Sequence, residues 1–323
     1  MNLIFETNFA IFAIFISLFV TEMMGAVVIL LFWKQAKSAV LDYIIPIWEV
    51  TGTFGAFWVV TADFAYPKLL IPVAELFAPL AIIGLIILVA RNASISFAEF
   101  IIKRGWLDEE KLYKAYAVST IGVGLAVLVA ISAIFSGAGV TVPSITSSWS
   151  FSPVAWVTSA GSLVFVVGTL LIGVGTAPIF FSLKAMKRYV LPLTAAGIAL
   201  SVLSYYLCSS SYVSAMTLVP VVLTLLAGIL FVFSDRTAEI VSNKVVFIII
   251  LSLIIFSLQP VAYPNILGGA VSIDNVTTSG TMASAFLLIT MIGGVMLAIM
   301  IGFLLAVAMR PKDSSAPKLA PTP

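Results

Sequence analysis

The sequence predicts an all-α, polytopic membrane protein of nine transmembrane helices, and three observations carry that expectation. Of its 323 residues 62% are hydrophobic and only 9% charged, with a mean hydropathy of +1.20, so the chain lacks the charge that a water-facing surface needs. Its apolar residues gather in nine runs of about 20, long enough to cross a hydrocarbon core as helices that satisfy their own backbone groups. Fifteen of the sixteen Lys and Arg residues fall in alternate gaps between these runs, and only Lys68 falls in the others. Basic side chains near helix ends resist translocation, so this alternation orients every run at once, N-terminus outside and C-terminus inside.

The runs cover residues 8–33, 44–62, 69–90, 115–139, 153–183, 189–207, 212–234, 245–261 and 282–309. The first is preceded by Glu6 instead of a basic stretch, so it reads as a retained helix and not as a signal peptide. Lys34 and Lys37 follow it on the inner side, then Arg91, Lys103, Arg104, Lys111 and Lys114 after the third run. That long connection contains Trp106-Leu107-Asp108-Glu109-Glu110, acids where a helix N-terminus favours them, which predicts a short surface helix.

The next inner groups are Lys184, Lys187 and Arg188, then Arg236 and Lys244, then Arg310, Lys312 and Lys318. Outer connections at 140–152 and 263–281 are nearly uncharged, the second holding the single acid Asp274. Trp149 and Trp156 suit a membrane interface or the interior of a complex. Residues 1–310 form one transmembrane domain, and the proline-rich stretch 311–323 is too polar to order itself as anything but a cytoplasmic tail.

Several chemistries are excluded. The basic residues are spread over five inner segments, which does not fit nucleic acid. A single cysteine, Cys208, allows neither an internal disulfide nor a cysteine-ligated cluster. There is no histidine at all, which removes histidine-ligated haem, the commonest zinc and copper ligand, and the commonest general base. Neither a catalytic residue nor a metal ligand is expected on this chain. The ten Met residues are better read as packing.

Acids stand inside the apolar runs: Glu22 in the first, Glu49 in the second and Glu75 in the third, with Asp42 at the inner surface. At about 1.5 Å per residue Glu49 lies roughly 8 Å from the inner face, Glu22 roughly 16 Å and Glu75 roughly 22 Å. Ionised carboxylates are costly at such depth, so each is protonated, paired or wet. Such a staircase suits proton transfer, and it equally suits structural hydrogen bonds to neighbouring helices. Gly52 and Ala56, on one face of the second run, permit close approach of another helix, and Trp48 adjoins Glu49 near the inner surface.

The stretch from Val40 to Phe97 resembles subunit II of cytochrome bd quinol oxidase. That family shows Pro-x-Trp-Asp, then Gly-Asn-Glu-Thr-Trp, then a proline-bearing third helix and an Arg-led exit. Here Pro46 and Trp48 match, Glu49 stands for the acid, Thr53 keeps the threonine, Pro79 follows at the family spacing, and Arg91 and Phe97 match the exit. Val50-Thr51-Gly52 departs from Gly-Asn-Glu, Ser96 replaces a glutamate, and Thr21-Glu22-Met23-Met24-Gly25 only faintly matches the family's Gly-Phe-Asp-Leu-Gly.

The resemblance implies two four-helix bundles plus a peripheral helix in a prokaryotic plasma membrane. It implies a haem-free subunit of a quinol:oxygen oxidoreductase whose partner, subunit I, holds haems b and d and oxidises membrane quinol. Glu49 would then admit protons from the cytoplasm, with Trp48 beside it and room there for a structural quinone. Two other classes stay open at this point. One is a haem-free quinone-interacting anchor resembling the polysulfide reductase membrane subunit. The other is a proton-coupled secondary transporter, for which Gly161, Gly168, Gly173, Gly175 and Pro178 would mark a broken fifth helix.

Overall fold

A computed structural model describes residues 2–100, 108–144, 147–208 and 218–308, and it is almost entirely helical. Helix α1 runs Leu3–Ala65, with Asn2 accepting from the Ile4 amide at its start. A straight helix of that length would reach about 95 Å, three times a hydrocarbon core, and so cannot stand as one span. It breaks at Phe32 (φ −135°, ψ 27°) into a first arm (3–31) and a second arm (33–65). The arms are antiparallel: Asn8 Nδ2 donates to Thr61 Oγ1 at 3.2 Å, and the Thr21 and Tyr43 hydroxyls are 2.6 Å apart.

The connection expected at 34–43 is therefore helical. Ala36, Val40 and Tyr43 are buried at helical spacing there while Lys34 and Lys37 face out, which makes the segment an amphipathic continuation of the second arm.

Helix α2 (Leu70–Phe100) runs ten residues past its expected end. Helix α3 (Glu109–Ser136) starts at an Asp108 cap whose side chain accepts from the Lys111 amide, so the acids expected to open a separate surface helix open the membrane helix itself; residues 101–107 lie outside the described residues. The fifth predicted run is two helices, α4 (Pro153–Thr158) and α5 (Ala160–Phe180), because Ser159 adopts an extended conformation and caps α5.

A short 3-10 turn (Lys184–Met186) leads to α6 (Lys187–Cys208), α7 (Leu218–Phe233), α8 (Asp235–Val241), α9 (Lys244–Phe256), α10 (Gln259–Ala262), α11 (Ile273–Val276) and α12 (Gly280–Ala308). The expected tail at 311–323 lies outside the described residues. So do residues 212–217 of the seventh run and Met309 of the ninth.

Among the described residues seven helices are long and apolar enough to cross a membrane. With α1 counted as two passes and the shorter α7 added, they account for the nine predicted spans, and the chain is an all-α polytopic membrane protein. Helix α1 packs against α3, α5, α9 and α12, α2 against α3, and α6 against both α5 and α7. The α5–α6 contact is backbone to backbone: a Cβ added at Gly197 would meet the Gly168 carbonyl oxygen at 2.7 Å. Gly168 and Gly175 thus serve close packing against α6, whereas a Cβ on Gly173 would meet nothing within 4 Å, and the helix is continuous through Pro178.

The connections separate onto two ends. At one, β1 (Val140–Thr141) pairs with β2 (Ser150–Phe151) and β3 (Asn265–Ile266) with β4 (Val271–Ser272). Gly137, in the left-handed conformation (φ +69°) that caps α3, lets the two outer loops touch, and the Leu267 amide donates to the Ile134 carbonyl at 2.7 Å. Trp149 and Trp156 are buried in this layer, and Lys68 Nζ donates to the Asn275 carbonyl. The opposite end gathers residues 34–42, 108–114, 181–188 and 234–244, tied by Lys37–Glu109 and Lys187–Asp235, each 2.8 Å.

Candidate functional site

The most polar place in the interior lies where the first arm, α2 and α3 meet. Glu22 is 0% exposed and Arg91 is 4% exposed. Arg91 Nη2 donates to Glu22 Oε1, and the Tyr116 hydroxyl donates to the same oxygen. Arg91 Nε donates to Thr120 Oγ1 at 3.3 Å, Nη1 donates to Asn92 Oδ1 at 2.9 Å, and the guanidinium sits 5.3 Å from the centre of the Tyr116 ring. Beside this cluster Tyr43 and Thr21 join the two arms of α1. Glu22 Oε2 is buried and has no partner among the described residues.

Local sequence explains the assembly. Tyr113, Tyr116, Ala117 and Thr120 are buried at i, i+3, i+4 and i+7 of α3, so one face carries the two phenols and the threonine inward. On α2, Arg91, Ile95 and Ala98 are buried at i, i+4 and i+7, which carries the guanidinium into the same seam. Two charges taken out of water attract each other strongly but are costly to desolvate, and the pair is retained because each charge has further hydrogen bonds.

Arg91 is the correction that matters most. Read as an inner-loop cation, it is an interior residue of α2 and the counter-ion of Glu22. The signal was present in the apolar 3–4 spacing that continues past Ala90 through Ile95 and Ala98, without proline or glycine between Gly84 and Phe100.

The four carboxylates expected to form a staircase stand in three environments. Glu22 is interior and paired. Glu49 is exposed on the outward face of the second arm, with Gly52, Thr53 and Ala56. Glu75 is exposed near the other end of the molecule, in the second turn of α2. Asp42 is partly buried and lines a rim cavity of about 380 Å³ together with Ser182, Ser242, Asn243 and Lys244. Trp48 is half-buried and packs against the core.

Gly52 and Ala56 make no close approach within this chain, since a Cβ on Gly52 meets nothing within 4 Å. The glycine that brings the arms together is Gly55, where a Cβ would meet the Phe15 ring at 2.9 Å. Gly55 follows Gly52 by three residues, a net offset of about 60° around the helix, and hydropathy alone does not say which of the two faces in.

Among the described residues no group of three His, Cys, Asp or Glu side chains could hold a metal ion. No protein-family model matches the sequence, and no curated protein matches it. A solved structure does match in fold: a chain of the bd oxidase from Geobacillus thermodenitrificans, with a TM-score of 0.71 and 14% identity over 94% of this chain and 96% of that one. Over that length the chain has the fold of a bd oxidase chain.

Proposed function

We propose that this chain is the haem-free subunit II of a bd-type quinol oxidase in a prokaryotic plasma membrane, where it stabilises a haem-bearing subunit I and supplies it with cytoplasmic protons. The observation that carries the reading is the fold likeness to a bd oxidase chain over 94% of the sequence. Two features favour the second-subunit role. The sequence has no histidine, the commonest axial ligand of haem, so in this reading haems b and d belong to the partner. Glu49 also stands on an outward helix face, where an ionised carboxylate against lipid costs several kcal/mol and cover by a partner subunit removes that exposure.

In this reading quinol is oxidised and oxygen reduced to water on the partner. Asp42 opens on the rim cavity, and Glu49 lies seven residues, about 10 Å, further along the same arm. They form the inward proton route, while Glu22 is held apart from it by Arg91 and Tyr116 in the interior seam.

The Glu49 role is tested by oxygen consumption in assembled complexes of equal haem content. Glu49→Asp keeps a titratable acid and much of the activity, whereas Glu49→Gln keeps the shape and lowers turnover at least about tenfold. Undiminished turnover in Glu49→Gln would reject the proton role and leave a structural glutamate.

A further inference from the structure

The rim around α8 carries more positive charge than it neutralises. Lys184, Lys187, Arg188, Arg236 and Lys244 come together there with the acids Asp235 and Glu239, and Asp42 faces Lys244 from the second arm. One carboxylate serves two lysines: Asp235 Oδ1 lies 2.8 Å from Lys187 Nζ and 3.9 Å from Lys184 Nζ. Arg188 lies over the Tyr189 ring, and neither Arg188 nor Arg236 has an ion pair among the described residues. On the same end of the molecule, at the start of α3, Lys37, Lys111 and Lys114 by contrast each hold a carboxylate of their own, Glu109, Asp108 and Glu110.

The surplus lies beside two concavities that share Asn243 as a wall. One is the 380 Å³ rim cavity with Lys244, where the buried Ser242 hydroxyl has no partner among the described residues. The other, of about 420 Å³, is lined by Arg236, Glu239, Ile240, Asn243 and Val246. Directly beside them the surface turns apolar: Phe233 is 76% exposed, Ile240 58% and Ile249 54%. Cations at the polar rim above an apolar helix flank match the two halves of a phospholipid, and each basic side chain near such a surface favours an anionic headgroup. Glu239 opposes a bare phosphate and favours a headgroup that also offers hydroxyl donors.

We infer that the α8 rim is a binding site for an anionic glycerophospholipid with a hydroxylated headgroup, its phosphate at Arg236 and Lys244, its hydroxyls at Glu239 and Asn243, and its chains along Ile240, Val246 and Ile249. The inference rests on the transmembrane fold alone and stands apart from the proposed oxidase role.

Native mass spectrometry of the purified, delipidated full chain, titrated with phosphatidylglycerol or phosphatidylcholine, tests it. Phosphatidylglycerol is expected to bind roughly tenfold tighter, and the preference should disappear in Arg236→Gln/Lys244→Gln but persist in Lys37→Gln/Lys111→Gln. With the unmodified chain, raising salt from about 0.1 M to about 1 M shortens the screening length from about 10 Å to about 3 Å and should erase the preference without any mutation. Equal binding of the two lipids, equal loss in both double variants, a preference indifferent to salt, or displacement by millimolar inorganic phosphate would each overturn the site.

Discussion

The α1–α3 half and the α5–α9 half of this protein solve the same packing problem by opposite means. In the first, helices are joined through buried charge: Glu22 on α1, Arg91 on α2 and Tyr116 on α3 meet at a single oxygen. In the second, α5 and α6 approach until glycine backbones touch at Gly168 and Gly197, and the cations stay at the rim. Glycine packing gains dispersion contacts wherever two helices can close up, but it is indifferent to what else is near. A buried ion pair is costly unless all its partners are present, so it fixes which helices meet and in what register.

Substitution should cost most at that pair. Arg91→Met leaves a buried carboxylate uncompensated and should cost about 3–5 kcal/mol of stability, whereas Glu22→Gln/Arg91→Met should recover most of the loss. Denaturation of the detergent-solubilised chain followed by tryptophan fluorescence measures both, and equal losses in the single and double variants would show that the charges are not coupled.

Overpacking the glycine seam comes next. Gly197→Val has no space against the Gly168 carbonyl and Ile172, and should cost about 1–3 kcal/mol. Gly52→Val, on an open face, should stay within about 0.5 kcal/mol in the isolated chain. If the two variants behave alike, the assignment of inward and outward faces on these helices fails.

A smaller effect is expected at Tyr43→Phe, which removes the bond to Thr21 but leaves Thr21 donating to the Leu18 carbonyl, a loss of about 1 kcal/mol by the same denaturation assay.

The smallest effect belongs to the rim. The hydrogen bond and charge of Lys187, helped by Lys184, hold the Asp235 carboxyl below the usual carboxylate range, and the Lys111 amide and side chain do the same for Asp108. A depressed folded value means that the stabilisation is present above the unfolded carboxylate range and is lost as pH falls through the folded value. Thermal midpoints should therefore decline slightly on acidification, and Asp235→Asn should flatten part of that decline. Both groups are solvent-exposed and screened, so a steep acid transition that vanishes in Asp235→Asn would contradict this placement.

The passes were legible because each is a long apolar run, and their grouping onto two ends was legible because Lys and Arg mark alternate connections. Where polar and apolar residues interleave, hydropathy averages them away: residues 34–43 read as a loop, yet Ala36, Val40 and Tyr43 bury one helical face. Ser159 ends one helix and caps the next within Thr158-Ser159-Ala160-Gly161-Ser162, a polar dip too short to interrupt the long apolar run around it, so the run reads as one span. At the site, Glu22 was visible as a costly acid, but its partners come from α2 and α3, 69 and 94 residues away, and pairing at that range is a tertiary fact. Glu49 was visible through its neighbours Pro46 and Trp48, and its outward direction emerged only with the second arm's packing.

Copurification from native membranes, through a tag on this chain, is the sharpest test of its proposed role as the haem-free subunit of a bd-type oxidase. The expected result is a second polypeptide carrying all the haem, reduced-minus-oxidised spectra of b and d type, quinol-driven oxygen consumption by the pair, and no haem on this chain once separated. A chain that purifies alone with a haem of its own, or with an iron–sulfur or molybdenum partner in place of a haem protein, would contradict it.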